Sequence, residues 1–399
     1  MAYGLHSEPG ITQNWNNQMN TAKPKSLIVQ KAQSFRPDAR DAIAEIAEKL
    51  QCRNMAVVVF FCSIDYDLEV LGQELKRTFD CPVIGCTTAG EIGPDGYSDH
   101  SLTAFSMGSS KLQVSPYLIP DLDKCGPAEL TELSKTIQEY LQKQSEIWPD
   151  AQPFGLLLID GLSKKEEQII GQLYHMLQST PLVGGSAGGG PDFLPTYVYY
   201  DGRFSSNIAT LTIFVTSLPF EIFRTQHFVP TDGKLVITKA KPEARLVNEI
   251  NGKPAAQEYA RCLGFEKENL TSEVFAMHPV MLKLGGEYYV RSVMQVLDDG
   301  SLQFACAIDE GLVLTMADGV DMVANLSDSL ESLRERVRPQ VIIGCECFFR
   351  KIEVLEKEIR DSISRIMARH NVIGFHTYGE QINSVHVNQT FTGVAIGDE

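Results

Sequence analysis

The chain has 399 residues, 43% of them hydrophobic, enough for an extensive core and for two domains. Its formal net charge of -16 repels nucleic-acid phosphate and anionic lipid, which argues against both as partners and favours small molecules or other proteins. Nine cysteines, odd in number and scattered, fit reduced thiols and a cytoplasmic location.

Residues 1–25 read as a polar leader, without the basic start and apolar core of a signal peptide. "SLIVQ" from Ser26 and "DARDAIAEIAEKL" from Asp38 open the ordered part. The longest apolar run, "MAVVVFFC" from Met55, is too short to span a bilayer and reads as a strand covered on both faces. A helix follows, with Leu68, Leu71 and Leu75 at helical spacing. Next come the strand and loop "VIGCTTAGEIG" from Val83 and a β-like run, "SLTAFSM", from Ser101.

A helix from Pro127 leads to a second set of the same parts. "FGLLLIDG" starts at Phe154, Ile169, Leu173 and Leu177 form the stripe, "LVGGSAGGG" starts at Leu182, and "IATLTIFV" starts at Ile208. The stretch from Gly233 to Gly264 reads as strand, strand, helix, and Asp299-Gly300 marks a hairpin. After a helix from Met322 the parts return a third time: "QVIIGCECFFR" from Gln340, a stripe of Ile352, Leu355 and Ile359, "VIGFHTYGE" from Val372, and "FTGVAIG" from Phe391. The repeated unit of strand, helix, strand, loop and strand predicts a two-domain α/β fold with mixed sheets and an antiparallel insert in the C-terminal domain. The domains are placed at 26–250 and 251–399.

In each repeat two apolar residues run into a glycine, Gly85, Gly184 or Gly374, followed by small or hydroxyl residues. A glycine there permits a positive φ or a close backbone approach. Ligands of α/β sheets bind outside the carboxyl ends of strands. Cys86, Thr87, Thr88 and Glu91 are therefore expected at the mouth of a cleft; the plainer reading is a set of tight turns. "GGSAG" at Gly184 resembles a nucleophile elbow, but the glycines and prolines after it forbid the required helix. Cys86 and Cys345 are either reactive thiols or small buried hydrophobes. No acid–base pair stands at recognisable spacing, so the chain is not expected to be an enzyme. His376 and His386 flank the third loop beside Tyr378 and Glu380. Arg350 either clamps an anionic ligand group or pairs with Glu346 or Glu380. Arg291, in "YYVRS", is a further candidate for ligand binding.

"VIGCTTAGEI", "YYVRS", "GKPAAQEYARCLG", "GFHTYGEQI" and "HVNQT" together resemble the FIST family, with an N-terminal and a C-terminal FIST domain, over nearly everything after residue 26. The resemblance implies an intracellular sensory module. The ending "TYGEQ…HVNQTFTGVAIG" is similar to the nitric-oxide-sensing NosP subset, which binds haem and acts on a separate histidine kinase or cyclic-di-GMP enzyme. That implies an iron ligand at His386, with His376 as its rival. Arg350 would meet the propionates, and Phe348, Phe349, Phe375 and Phe391 would form part of the apolar slot. The alternative is a haem-free sensor of a small metabolite such as an amino acid.

Overall fold

The computed structural model describes residues 26–178 and 180–398; the polar leader lies outside them. Each repeat is longer than its sequence signature. It runs as lead strand, helix, first strand, helix, second strand, hairpin and closing strand. In repeat 1 these are Ile28–Ser34, Ala39–Leu50, Met55–Cys62, Leu68–Thr78, Val83–Thr87, the hairpin Glu91–Gly93 with Gly96–Ser98, and Leu102–Gly108. Repeat 2 has Leu112–Ile119, Pro127–Ile147, Gln152–Ile159, Glu166–Met176, Leu182–Ser186, Val198–Tyr200 with Arg203–Ser205, and Ala209–Thr216. Repeat 3 has Phe220–Thr225, Met322–Val337, Pro339–Cys347, two helices (Phe348–Glu356 and Arg360–Arg369), Val372–Thr377, Glu380–Ile382 with Val385–Val387, and Phe391–Gly397. Helix starts are set locally: the Asp38, Asp67 and Asp321 carboxylates accept from the first-turn amides of Asp41, Val70 and Ala324.

In every repeat the first and second strands pair in parallel, and the closing strand lies antiparallel between first and lead strands. The hairpins are exchanged in a ring. The repeat 2 hairpin pairs with the second strand of repeat 1, the repeat 3 hairpin with that of repeat 2, and the repeat 1 hairpin with that of repeat 3. The register is equivalent throughout: Val198 faces Cys86, Glu380 faces Gly185, and Glu91 faces Phe375. Three six-stranded sheets result, related by an approximate three-fold.

The inner faces of these sheets share one core, in which Val57, Val59 and Phe61 meet Phe154, Leu156 and Leu158 and also Val341, Ile343 and Cys345. Phe61 stacks on Phe375 with ring centroids 4.5 Å apart, and each buried aromatic of this kind contributes roughly 1.5–3 kcal/mol. The helices cover the outer faces.

The strand-end glycines answer to this pairing. A Cβ on Gly85, Gly184 or Gly374 would lie 2.4, 2.0 or 2.0 Å from the carbonyl oxygen of Phe60, Leu157 or Gly344, the residue directly opposite. The glycine is therefore required by close approach of the first strand.

Between the lead strand and first helix of repeat 3 sits the antiparallel insert, Phe228 to Gly319. Its strands are built around Phe228–Lys241, Leu246–Ile250 and Val313–Gly319, and the helices Ala255–Leu263 and Ser272–Met277 pack on them. The boundary expected at 250/251 falls at a turn inside this sheet.

Of the third stripe only Ile359 packs on the core of its own repeat. Cys347 ends the strand and directly precedes the helix, so no turn resets the phase; Val354, Ile363 and Met367 are buried there instead, while Ile352 packs on the insert and Leu355 is 47% exposed. Among the described residues no helix is long and apolar enough to cross a membrane.

Candidate functional site

The exchange brings the carboxyl ends of all three second strands together. Gly188 and Gly190 amides of repeat 2 donate to the Thr87 and Thr88 carbonyls of repeat 1, the Ala89 amide donates to the His376 carbonyl of repeat 3, and the Tyr378 amide donates to the Ser186 carbonyl. Where these loops meet the helix Phe348–Glu356 and the helix Ser272–Met277 of the insert lies a cavity of about 760 Å³. Thr88, Glu91, Asp65, His100, Phe193 and Lys351 are among its lining residues.

The floor is built from repeat 1. Thr88 donates to Glu91 (2.5 Å), whose other carboxylate oxygen accepts from the Ser101 amide (3.1 Å) and hydroxyl (2.7 Å). Burial outweighs these bonds and pushes the Glu91 carboxyl up to about 7. Gly90 has φ +126°, and a Cβ there would come 2.3 Å from Lys351 Nζ. Its absence lets the ammonium reach the Ala89 carbonyl (2.9 Å) and pair with Asp99. His100 pairs with Asp65 at 2.5 Å, and that hydrogen bond raises its pKa.

One wall is aromatic: Phe193 and Phe348 lie 6.1 Å apart, with Tyr378 packed behind Phe193 at 4.9 Å. The Tyr378 hydroxyl accepts from the Gly189 amide (3.0 Å) and donates to the Gly190 carbonyl (2.6 Å), which fixes the glycine-rich loop in this wall.

The other candidates lie elsewhere. Cys86 and Cys345 belong to the central core, where burial pushes both thiols up, opposite to what activates a nucleophile. Thr87 ties its strand to the exchanged hairpin by accepting from the Tyr197 amide at 3.0 Å. Glu380 repeats the Glu91 arrangement, accepting from the Thr390 amide (3.1 Å) and hydroxyl (2.7 Å); burial pushes its carboxyl up to about 8.

Arg350 is wholly buried and pairs with Glu346 (3.0 Å), the partner offered by helical spacing, not with Glu380. It also donates to His227 Nδ1 (2.9 Å), so His227 is neutral and donates from Nε2 to Glu353 (2.9 Å). Tyr97, from the exchanged hairpin, donates to Glu346. His376 lies under the Tyr97 ring at 4.4 Å, and Glu346 is 3.7 Å from its Nδ1. Burial, with Lys351, Arg360 and Arg350 near, holds its pKa well below the ordinary value.

His386 is in a separate cluster, with its Nδ1 3.2 Å from Gln381 Nε2 and its Nε2 3.4 Å from the Ala305 carbonyl. Arg291 reaches the His386 carbonyl at 3.4 Å.

A haem needs a histidine nitrogen facing an open apolar slot. The ring of His386 is packed against Gly379, where a Cβ would stand 2.2 Å from Cε1, and both its nitrogens face protein atoms. His376 has bare nitrogens but is completely buried beneath Tyr97. Neither lines the cavity, and Phe375 and Phe391 are spent on hydrophobic cores. As packed, these residues do not fit a haem.

Sequence reasoning missed Asp65, His100, Phe193 and Lys351 in the cavity, and His227 and Tyr97 in the buried chain. Lys351, Phe193 and Tyr97 meet partners from other repeats, Asp65 and His100 meet across repeat 1, and His227 meets Arg350 and Glu353 across the insert, so none carries a local spacing. Only the rule that loops at strand ends hold function pointed toward them.

Comparison with known proteins places this architecture. Residues 56–253 match the FIST N domain and residues 255–383 the FIST C domain. The first match covers most of repeats 1 and 2, and the second ends in the turn of the repeat 3 hairpin, before "HVNQT". The chain is also similar to the uncharacterized protein MJ1623 of Methanocaldococcus jannaschii, with 24% identity over 88% of this chain and 75% of that protein. FIST domains are sensory domains of signal transduction, and this chain carries both in order, a FIST N domain followed by a FIST C domain.

Proposed function

We propose that the protein is a haem-free small-molecule sensor whose ligand occupies the cavity between the repeats and the insert, and that it regulates a separate signalling protein, a histidine kinase or a cyclic-di-GMP enzyme. The observation that carries this reading is the convergence: loops of repeats 1 and 2, the helix Phe348–Glu356 of repeat 3 and a helix of the insert line one space of about 760 Å³, within the usual range of roughly 300–1,000 Å³ for ligand pockets. A ligand there contacts both FIST domains at once. Binding shifts any equilibrium in which their relative packing differs, which is the requirement for a signal.

The haem and nitric-oxide reading implied by the NosP-like ending is the rival. It requires His386 or His376 to leave the packing described above. The test combines two measurements on the full chain made with ample haem. The cavity reading expects no Soret band, and it expects a ligand-dependent rise in melting temperature that Leu355→Trp, which fills the cavity, removes. A Soret band abolished by His386→Ala or His376→Ala overturns it.

A further inference from the structure

We infer that the cavity's ligand is an organic amine, an ammonium group carried on an apolar body of about one ring. The inference rests on the reading of this cavity as the sensory site. Three features of the lining point the same way.

The first is charge. Asp65, Asp99, Asp192, Glu273 and Glu356 line the space against only Lys351 and His100 as basic groups. Asp99 is answered by Lys351 and Asp65 by His100. Among the described residues Asp192, Glu273 and Glu356 have no basic partner within ion-pair distance. An acid-lined cleft with low-dielectric walls focuses a negative potential and concentrates cations.

The second is the wall. Phe193 and Phe348 line the cavity with their rings 6.1 Å apart, beside Leu194 and Leu355, each 47% exposed. Aromatic faces attract ammonium groups, and the aliphatic surface takes an apolar body. The third is what a carboxylate would find. The Lys351 ammonium is held between the Ala89 carbonyl and Asp99, and His100 is held by Asp65, so the cations of the site are already engaged by protein oxygens. A neutral or zwitterionic ligand gains less here than a cation of the same shape.

The test is isothermal titration of the full chain with four probes of one shape: phenethylamine, phenylalanine, hydrocinnamate and ethylbenzene. The expected order places phenethylamine first and hydrocinnamate last. Asp192→Asn and Glu356→Gln each weaken phenethylamine roughly 3-fold, and together about tenfold, as fits exposed charge pairs. Phe193→Ala weakens it by about 5- to 30-fold through lost cation–π and apolar contact. Ethylbenzene responds to Phe193→Ala but not to the charge changes.

Tighter binding of hydrocinnamate or phenylalanine than of phenethylamine, lost in Phe193→Ala, overturns the amine and leaves the cavity reading standing. Phenethylamine binding that none of the three substitutions changes removes the cavity as the site, and both readings fall. Failure of all four probes to bind overturns the amine.

Discussion

Removing one hydroxyl, with Tyr378→Phe, separates the order of the glycine-rich loop from the fold as a whole. In the native protein that hydroxyl accepts from the Gly189 amide and donates to the Gly190 carbonyl, while the ring packs on Phe193. Phenylalanine keeps the ring and deletes both bonds. A neutral hydrogen bond contributes about 0.5–1.5 kcal/mol net, so two give about 1–3 kcal/mol. The groups are partly buried and water can replace part of the loss, which places the effect near 1–2 kcal/mol, a factor of roughly 5–30 in local opening. Amide hydrogen exchange by mass spectrometry reads this directly. Peptides covering 187–194 are expected to exchange faster by that factor, with peptides from the central strands Gln152–Ile159 and Pro339–Cys347 unchanged. Ligand affinity should fall by a similar or smaller factor, because the wall must be ordered again on binding. Unchanged exchange over 187–194, or a uniform increase through the central strands, would refute the assignment of this hydroxyl as the clamp of the cavity wall.

Gly184→Ala places a Cβ 2.0 Å from the Leu157 carbonyl, backbone against backbone; it should lower the urea midpoint by an amount worth about 1–3 kcal/mol or more. Gly171→Ala, whose Cβ meets nothing nearer than 3.9 Å, should raise it by about 0.5–1 kcal/mol. Equal effects of the two would refute the close-approach account. For pH, the Glu91 and Glu380 carboxyls have folded pKa values raised to about 7 and about 8 from an ordinary 4.5. Their contribution to stability is full below about 4.5 and is lost as pH rises through those folded values. Glu91→Gln and Glu380→Gln should therefore gain on the native protein between pH 5 and 9, by a few kcal/mol at most; an advantage that shrinks as pH rises would contradict this. In the native protein iodoacetamide should leave Cys86 and Cys345 unmodified and label Cys262, which is exposed; rapid labelling of either core thiol, read by peptide mass, would restore a reactive cysteine.

The α/β class and the threefold return of the unit were legible, because apolar runs such as "MAVVVFFC" and the glycine after each second strand are fixed by local pairing. The helical stripes of repeats 1 and 2 were legible for the same reason. The hairpin exchange was not. Glu91 and Glu380 look like loop acids in the sequence, yet each starts a three-residue strand paired with another repeat's sheet. Nothing local encodes which sheet a short hairpin joins. The same gap hid the site: Thr88 and Glu91 could be placed at a strand end, but Lys351 reaches the Ala89 carbonyl between them from a distant repeat, through a space that exists only because Gly90 has no side chain. His376 and His386 looked like one site because ten residues separate them. The exchange instead sends the hairpin holding His386 into the sheet of repeat 2 and leaves His376 in that of repeat 3.

The space between the three repeats and the insert, and not the histidines of the C-terminal loop, is the proposed ligand site. A crystallographic soak of the full chain with a mixed set of cationic, anionic and neutral fragments tests it most directly. Fragment density is expected beside Thr88, Phe193 and Lys351, with His376 and His386 still packed against Tyr97 and Gly379. Density on either histidine, or fragments bound only outside this cavity, would contradict it.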